Sequence, residues 1–221
     1  MTSPAEYGGM FNNLIILYCR KLRKGLSAYY AMYHKTMLSI LMMLLYLQLH
    51  AQDRKINTIQ LENISGEKDF LLKQVSTKML VIVWLSPECP LCQNYTLTLN
   101  QLSQKYHDVV TIVGVFPGNA YTKEEYIAFR KKYAISFTLL TDKKKLLATT
   151  IHATVTPEVF LYDEKRSLKY SGAIDNWVVG LGKNTKKATV SYLDDAIVHT
   201  LDGVPANPAY TQPIGCFIND N

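Results

Sequence analysis

The sequence contains little cysteine, glycine and proline for its length. Four cysteines among 221 residues are too few for the disulfide framework that stabilises small domains without a core. Eleven glycines and eight prolines exclude a collagen-like or low-complexity chain. A hydrophobic content of 48% excludes a disordered one. We therefore expect one folded domain with appendages, in which any role of the cysteines is chemical.

The chain also lacks an excess of positive charge outside its first residues. Residues 1–51 hold five Lys or Arg and one Glu, so most of the formal net charge of +6 belongs to them. Lysine runs at 143–145 and 186–187 have no aromatic residues between them. A nucleic-acid surface would combine basic and aromatic side chains. The runs are therefore interpreted as solvated faces, and no nucleic-acid partner is expected.

No uncharged run is long enough to span a bilayer comfortably. Residues 36–49 are fourteen residues without a charge, whereas a span needs about twenty. The run fits the apolar region of a secretory signal, with a buried core helix as the alternative. We expect residues 1–51 to be a leader, either a signal peptide cleaved after Ala51 or an uncleaved membrane anchor. Met32 and Met37 are alternative start sites, and the remaining residues are expected to be exported, most simply to a bacterial periplasm.

Beyond the leader, strand-like and helix-like periods alternate, which predicts an α/β fold around one sheet. The continuous apolar run 80–85 is typical of a central strand buried on both faces. Helical spacing follows over residues 91–106. Further predicted elements are a strand at 109–116, a helix at 122–133 with a Thr122–Glu125 capping box, a strand at 136–140, a helix at 143–151, a hairpin of 159–162 and 168–170, and a helix at 188–201. The domain is expected to span 52–205, followed by a tail, 206–221, that contains Cys216.

The motif Cys89-Pro90-Leu91-Cys92 lies where the central strand gives way to a helix. Free N–H groups and the helix dipole at a helix N-terminus favour a thiolate at Cys89. Cys92 lies three residues on, on the same face and close enough to form a disulfide. We predict that Cys89 attacks a substrate disulfide and that Cys92 resolves the mixed disulfide.

The same spacing is half of a zinc site, so a metal-binding interpretation stands beside the redox one. The second half is missing, because Cys216, His107, His152 and His199 form no further ligand pair. No resident metal is therefore expected. A non-enzymatic module that binds a metal ion or an assembly partner through its cysteines remains an alternative, with His152 as its candidate extra ligand.

Two segments, 84–92 (WLSPECPLC) followed by 156–163 (TPEVFLYD), carry a family resemblance. Together with the succession of strand, CxxC, helix, Thr-Pro, strand, hairpin and final helix, they resemble the thioredoxin superfamily. The likeness is to its exported TlpA-like and redoxin (AhpC/TSA-like) branch. The resemblance implies a thioredoxin-like fold, with a central mixed sheet flanked by helices on both faces. It also implies a cis-proline at Pro157 and a Thr156 backbone offered to an extended substrate.

The function implied by the resemblance is exported thiol–disulfide oxidoreductase. The only redox group would be the Cys89–Cys92 disulfide, without an organic cofactor. Trp84 and Pro90 are further substrate-binding candidates. The implied partners are protein disulfides and a membrane-linked thiol reductant, with membrane contact only through an uncleaved leader.

A peroxiredoxin-like peroxidase is the second enzymatic interpretation, because residues 86–89 (Ser-Pro-Glu-Cys) resemble a peroxidatic site. Such a site needs an arginine, and the chain has Pro157 near the equivalent place. Glu88 and Glu158 are the nearest candidates for an auxiliary acid or base, although a carboxylate beside Cys89 raises a thiol pKa. Cys216 is expected to be a free or buried thiol, with pairing between chains or a resolving role as alternatives.

Overall fold

The computed structural model describes residues 33–44, 56–66 and 69–218. The chain divides into two compact units, 1–51 and 52–221. In the first unit, residues 33–44 form an exposed helix, α1. Among the described residues no helix has both the length and the hydropathy to cross a membrane. The predicted cleavage point at Ala51 and the alternative start at Met32 lie outside the described residues.

The second unit contains eleven short or medium strands and four α-helices in its described part. The strands are β1 Gln60–Asn63, β2 Phe70–Leu71, β3 Met79–Trp84, β4 Val110–Pro117, β5 Thr138–Asp142, β6 Val155–Thr156, β7 Glu158–Asp163, β8 Leu168–Gly172, β9 Val178–Gly180, β10 Lys183–Asn184 and β11 Cys216–Phe217. The helices are α2 Pro90–Lys105, α3 Lys123–Lys132, α4 Leu146–Ile151 and α5 Tyr192–Leu201, with a 3-10 turn at Leu72–Gln74.

Seven of the strands form one mixed sheet in the order β2-β1-β5-β4-β3-β7-β8. The pairs β3–β4 and β4–β5 are parallel, and the others are antiparallel. Parallel neighbours require a crossover, which α2 supplies between β3 and β4 and α3 between β4 and β5. Two small ribbons, β9–β10 and β6–β11, lie outside the main sheet.

Side chains of β3 alternate between two separate core layers. Val81 and Val83 belong to a layer that also contains residues of α2, α3 and α5. Leu80, Ile82 and Trp84 belong to a second layer, which contains residues of α4. Successive strand residues point to opposite faces, so helices cover both faces of the sheet. The predicted class, an α/β thioredoxin-like fold with a central mixed sheet, is confirmed.

Most predicted strands and helices lie within a few residues of their observed positions. The capping box at the start of α3 forms as predicted, with Glu125 N donating to Thr122 Oγ1 and Thr122 N to Glu125 Oε2. Helix α5 begins at Tyr192, later than predicted, because Asn176 Oδ1 accepts the backbone N–H groups of Thr189 and Val190. These two hydrogen bonds hold residues 189–190 in the loop that precedes the helix.

Helix α4 also begins later than predicted, at Leu146. The Asp142 carboxylate accepts the N–H groups of Leu146 and Ala148 at 2.9 Å each. It therefore satisfies free donors at the start of this short helix. Lys145, which precedes the helix, has a φ of 53° and cannot continue a helix toward its N-terminus.

The C-terminal segment is not a loose appendage to the domain. Its residues 206–218 belong to the same compact unit as residues 52–205. Tyr210 bridges to Ser171 of β8, and β11 pairs antiparallel with β6. The sequence does not predict these pairings, because the partners are distant in sequence and leave no local pattern.

Candidate active site

The CxxC motif lies at the junction of β3 and α2. Cys89 is the N-cap of α2, and Pro90 takes the first helical position, where its missing N–H costs nothing. Cys89 N donates to Ser86 O at 3.2 Å, and Gln93 Nε2 donates to Pro87 O at 2.8 Å. These bonds fix the loop so that the Cys89 side chain stands at the start of the helix dipole.

Three sulfur atoms meet at this helix N-terminus. The Sγ atoms of Cys89 and Cys216 are 2.6 Å apart, and Cys89 Sγ as a thiol donates to Thr156 O at 3.2 Å. Cys92 Sγ accepts the N–H of Ser86 at 3.4 Å. Cys89 is 2% exposed and Cys92 fully buried, whereas Cys216 is half-buried. All three are free thiols.

The three thiols differ sharply in acidity. Hydrogen bonding from the Cys92 thiol lowers the pKa of Cys89 to about 5, helped by Cys216 and opposed by burial. Burial, followed by the contact with Cys89, raises the pKa of Cys92 well above its ordinary value. Burial and the Cys89 contact also raise the pKa of Cys216 to about 12. At neutral pH the site therefore holds one thiolate, on Cys89, and two thiols that donate to it.

Removal of a thiol donor will raise the pKa of Cys89. We expect the thiolate absorbance of the reduced protein to rise with a midpoint near pH 5, from the pKa of about 5. In Cys92→Ala the midpoint should move upward, because the largest stabilising hydrogen bond is lost. The matched variant Cys216→Ala should move it upward by less. A wild-type midpoint near that of an ordinary thiol would contradict the geometry.

Glu88, the residue before Cys89, contacts Tyr121. Its side chain is exposed and accepts a hydrogen bond from Tyr121 OH at 3.3 Å. The shift in the pKa of Cys89 comes from Cys92, burial and Cys216.

Glu158 is buried and holds the loop before β7. Its Oε2 accepts the N–H groups of Thr154 at 2.8 Å and Val155 at 3.3 Å. Burial raises its pKa, against these hydrogen bonds. The carboxylate therefore fixes the residues that precede Thr156 and Pro157. The peptide bond between those two residues is cis, and Thr156 is 2% exposed.

Trp84, predicted to bind substrate, is a core residue. It is fully buried and packs in the layer that contains residues of α4, whereas Cys89 and Cys92 belong to the opposite layer. The alternation of β3 places it on the far side of the sheet from the thiols. Pro90, by contrast, is exposed next to Cys89, where a substrate can touch it.

Cys216 contacts the CxxC motif although it is distant from the motif in sequence. Cys216 is a free thiol, as the favoured prediction has it, and its Sγ lies 2.6 Å from Cys89 Sγ, a contact that the sequence did not predict. One local signal was present, since glycine precedes the cysteine in Pro213-Ile214-Gly215-Cys216. A Cβ on Gly215 would overlap the Thr156 carbonyl. Glycine there marks a close approach between two backbones.

A peroxidatic site would need an arginine, and a metal-binding module would need a further ligand such as His152. In the described part of the chain, these side chains lie elsewhere. The two arginines of this part are Arg130, bonded to Ser65 Oγ, and Arg166, bonded to the Leu72 and Val75 carbonyls. His152 is exposed at the C-cap of α4. Within the described residues no group of three or more His, Cys, Asp or Glu has a metal-holding arrangement.

A cavity of about 260 Å³ opens beside the thiols. Its lining includes Ser86, Tyr121, Thr156 and Cys216, but not Cys89. Ser86 Oγ and Tyr121 OH lie 3.2 Å apart on its wall. Cys216 is thus the member of the thiol cluster that faces open space.

The fold is that of a thioredoxin-like protein. Residues 52–171 match the model of the AhpC/TSA family, which is more than half of the chain. The protein therefore belongs to the AhpC/TSA family. Redox chemistry on a thioredoxin-like fold is its general function.

Solved structures from three organisms share the fold. A hypothetical protein from Sinorhizobium meliloti 1021 is 27% identical with a TM-score of 0.65, covering 72% of this chain and 89% of that one. An uncharacterized conserved protein from Geobacillus kaustophilus is 21% identical with a TM-score of 0.64, covering 74% and 88%. A thioredoxin-like protein from Aeropyrum pernix is 16% identical with a TM-score of 0.50, covering 69% and 92%. No curated protein sequence matches the chain.

Proposed function

We propose that this protein is an exported thiol–disulfide oxidoreductase that exchanges electrons with protein disulfides through Cys89 and Cys92. The observation that carries the proposal is the division of acidity at the start of α2. Cys89 has a pKa lowered to about 5, and the neighbouring buried Cys92 has a raised pKa. Such a pair supplies one nucleophile and one thiol held in reserve.

The reaction begins when the Cys89 thiolate attacks one sulfur of a protein disulfide. The other substrate sulfur leaves as a thiolate and takes a proton from solvent. Cys92 then loses its proton and attacks Cys89 Sγ, which releases the second substrate thiolate and closes the Cys89–Cys92 disulfide. Formation of the mixed disulfide removes the Cys89 charge, and that charge helps to raise the pKa of Cys92. The resolving thiol therefore becomes easier to ionise when its turn comes.

The substrate chain is proposed to lie along Thr156, beside Pro157 and across the exposed ring of Pro90. Thr156 belongs to β6, which lies outside the seven-stranded sheet and pairs with the short strand β11, so an extended substrate would take the place of β11 along it. Glu158 keeps this segment in place through its bonds to Thr154 and Val155. Main-chain pairing accepts many sequences, which suits a range of protein disulfides.

Export and a membrane-linked thiol reductant complete the proposal. They are supported by the uncharged run 36–49 and its basic N-terminal flank. Outside the cytosol the reducing thiol pools of the cytosol are absent, so a dithiol there needs another source of electrons. The Cys89–Cys92 pair is itself the redox group, so the proposal needs no organic cofactor.

Mass spectrometry of alkylated cysteines tests the proposal on the full chain. Samples are compared as isolated, after reduction, after exposure to disulfide-bonded insulin, and after a stoichiometric pulse of hydrogen peroxide. We expect insulin to convert reduced Cys89 and Cys92 into a disulfide that dithiothreitol reopens. Rapid sulfenate formation at Cys89 without exchange with insulin would favour the peroxidase instead. Thiols protected by stoichiometric metal would refute both.

A further inference from the structure

The C-terminal tail brings a second thiol to Cys89 along a paired strand. Strand β11 runs antiparallel to β6, with Cys216 opposite Thr156, and places Cys216 Sγ 2.6 Å from Cys89 Sγ. We propose that Cys216 is a second redox partner of Cys89, carried by a tail that occupies the Thr156 edge as a built-in substrate. The inference rests on the proposed function for the nucleophilic role of Cys89 and the substrate role of that edge.

Backbone contacts on both sides of Cys216 hold the tail against the site. Thr156 Oγ1 donates to Cys216 O at 3.4 Å, and Ile218 N donates to Thr154 O at 3.0 Å. Gly215 lies so close to the Thr156 carbonyl that a side chain would overlap it. The position of Cys216 is therefore set by the main chain and does not depend on one side-chain rotamer.

The docked tail covers the nucleophile. Cys89 is only 2% exposed, while Cys216 is half-buried and lines the 260 Å³ cavity. The backbone groups of Thr156 that an extended substrate would use are paired with Cys216. An external protein disulfide and the tail must therefore compete for the same edge, and Cys216 occupies the place of the substrate sulfur.

The geometry allows a balanced sequence of exchanges in which a disulfide is the oxidant. The tail leaves the edge, and the Cys89 thiolate attacks a substrate disulfide and expels one substrate thiolate. When the tail returns, Cys216 loses its proton and attacks Cys89 Sγ. The mixed disulfide breaks, the second substrate thiolate leaves, and a Cys89–Cys216 disulfide forms. The substrate gains two electrons, and Cys89 and Cys216 together lose two.

Cys92 then converts this disulfide into the one of the CxxC motif. Its thiolate attacks Cys89 Sγ, the Cys89–Cys92 bond forms, and Cys216 leaves as a thiolate that takes up a proton. No electrons enter or leave the protein in this step. The two partners reach Cys89 from different elements, Cys92 from α2 and Cys216 from β11, so each can displace the other at its sulfur.

Trapping the Cys89–Cys216 disulfide tests the proposal. The full chain is made with Cys19→Ser, which leaves three cysteines, and Cys92→Ala is added to block the last step. The reduced protein receives a stoichiometric amount of oxidised glutathione at neutral pH. Non-reducing digestion of the monomer fraction should then yield a peptide in which Cys89 is linked to Cys216. Glutathione on Cys89 beside a free Cys216, or a link found only between two chains, would overturn the inference.

A parallel variant separates failure of this inference from failure of the proposed function. Cys19→Ser with Cys216→Ser retains the CxxC pair and should still form the Cys89–Cys92 disulfide with insulin. If it does, and Cys92→Ala gives no Cys89–Cys216 link, only the role of Cys216 is lost. If neither this variant nor the wild type exchanges with insulin, the proposed function itself fails.

A glycine substitution tests tail docking without altering any thiol. In Gly215→Ala the new Cβ meets the Thr156 backbone, so the tail must shift. We expect alkylation of Cys89 by iodoacetamide to become about tenfold faster and glutathione-driven linkage to Cys216 to fall. Gly180→Ala is the matched control, because a Cβ there makes only ordinary contacts with Lys183 at 3.8 Å. Equal rates in the two variants would overturn docking of the tail over Cys89.

Discussion

Cys89→Ser will reduce insulin disulfide cleavage by on the order of a thousandfold, to the uncatalysed background. Every exchange step proposed for the site passes through Cys89 Sγ, which has a pKa of about 5 and is the only thiolate at neutral pH among the three cysteines that the structure describes. A serine hydroxyl does not ionise in that range and cannot form a disulfide. The measurement is the rate of insulin reduction with dithiothreitol as the electron donor.

Cys92→Ser is the matched control for this loss. It retains the nucleophile, so a mixed disulfide between Cys89 and an insulin chain should accumulate and be visible on a non-reducing gel. Cys89→Ser should form no such adduct. If Cys89→Ser retained insulin reduction while Cys92→Ser lost it, the assignment of nucleophile and resolving thiol would have to be reversed.

Trp84→Ala should lower the free energy of unfolding by about 3–5 kcal/mol, the range typical of large-to-small changes in a core. The side chain is fully buried, and its Nε1 has no hydrogen-bond partner among the described residues. The loss therefore comes from packing and from the cavity left behind. Urea denaturation monitored by circular dichroism measures it.

Trp84→Phe separates this packing role from the substrate role first predicted for Trp84. Phenylalanine keeps an aromatic ring and leaves no polar atom unpaired, so stability should fall less. Insulin reduction per folded molecule should stay within about twofold of the wild type. Trp177→Ala provides a comparison, because Trp177 is half-buried and packs edge-on against Tyr95. A Trp84→Phe protein of normal stability and slow exchange would restore the substrate interpretation.

Features that depend on residues close together in the chain could be predicted from the sequence. The capping box depends only on the spacing of Thr122 and Glu125, and it forms as predicted. The CxxC motif also falls at a helix N-terminus as predicted, because proline favours the first helical position. Both depend on contacts within a few residues of the chain.

The face on which Trp84 lies could not be predicted in the same way. A run of six buried residues has no polar position to mark which side faces the helix that carries the cysteines. The assignment depends on the register of β3 against β4 and β7, where Trp84 lies opposite Val115 and Glu158. Register is a property of the assembled sheet.

Glu158 illustrates a second limit. A carboxylate in a strand is usually solvated, and the residues next to Glu158 in the sequence do not indicate that it is buried. Only the closed loop shows that Thr154 and Val155 direct their N–H groups at its oxygen. The same holds for Cys216, which lies 127 residues from the thiol that it contacts.

The route of the tail has a consequence for the behaviour of the protein at high concentration. Before reaching the thiols, the tail pairs with Ser171 on β8, the terminal strand of the seven-stranded sheet. It then adds β11 to β6. Unpaired strand edges are templates for pairing between molecules, and here one segment caps two of them. In the proposed exchange, each departure of the tail that uncovers Cys89 also exposes the β6 edge. The same short segment would therefore govern both access to Cys89 and resistance to aggregation.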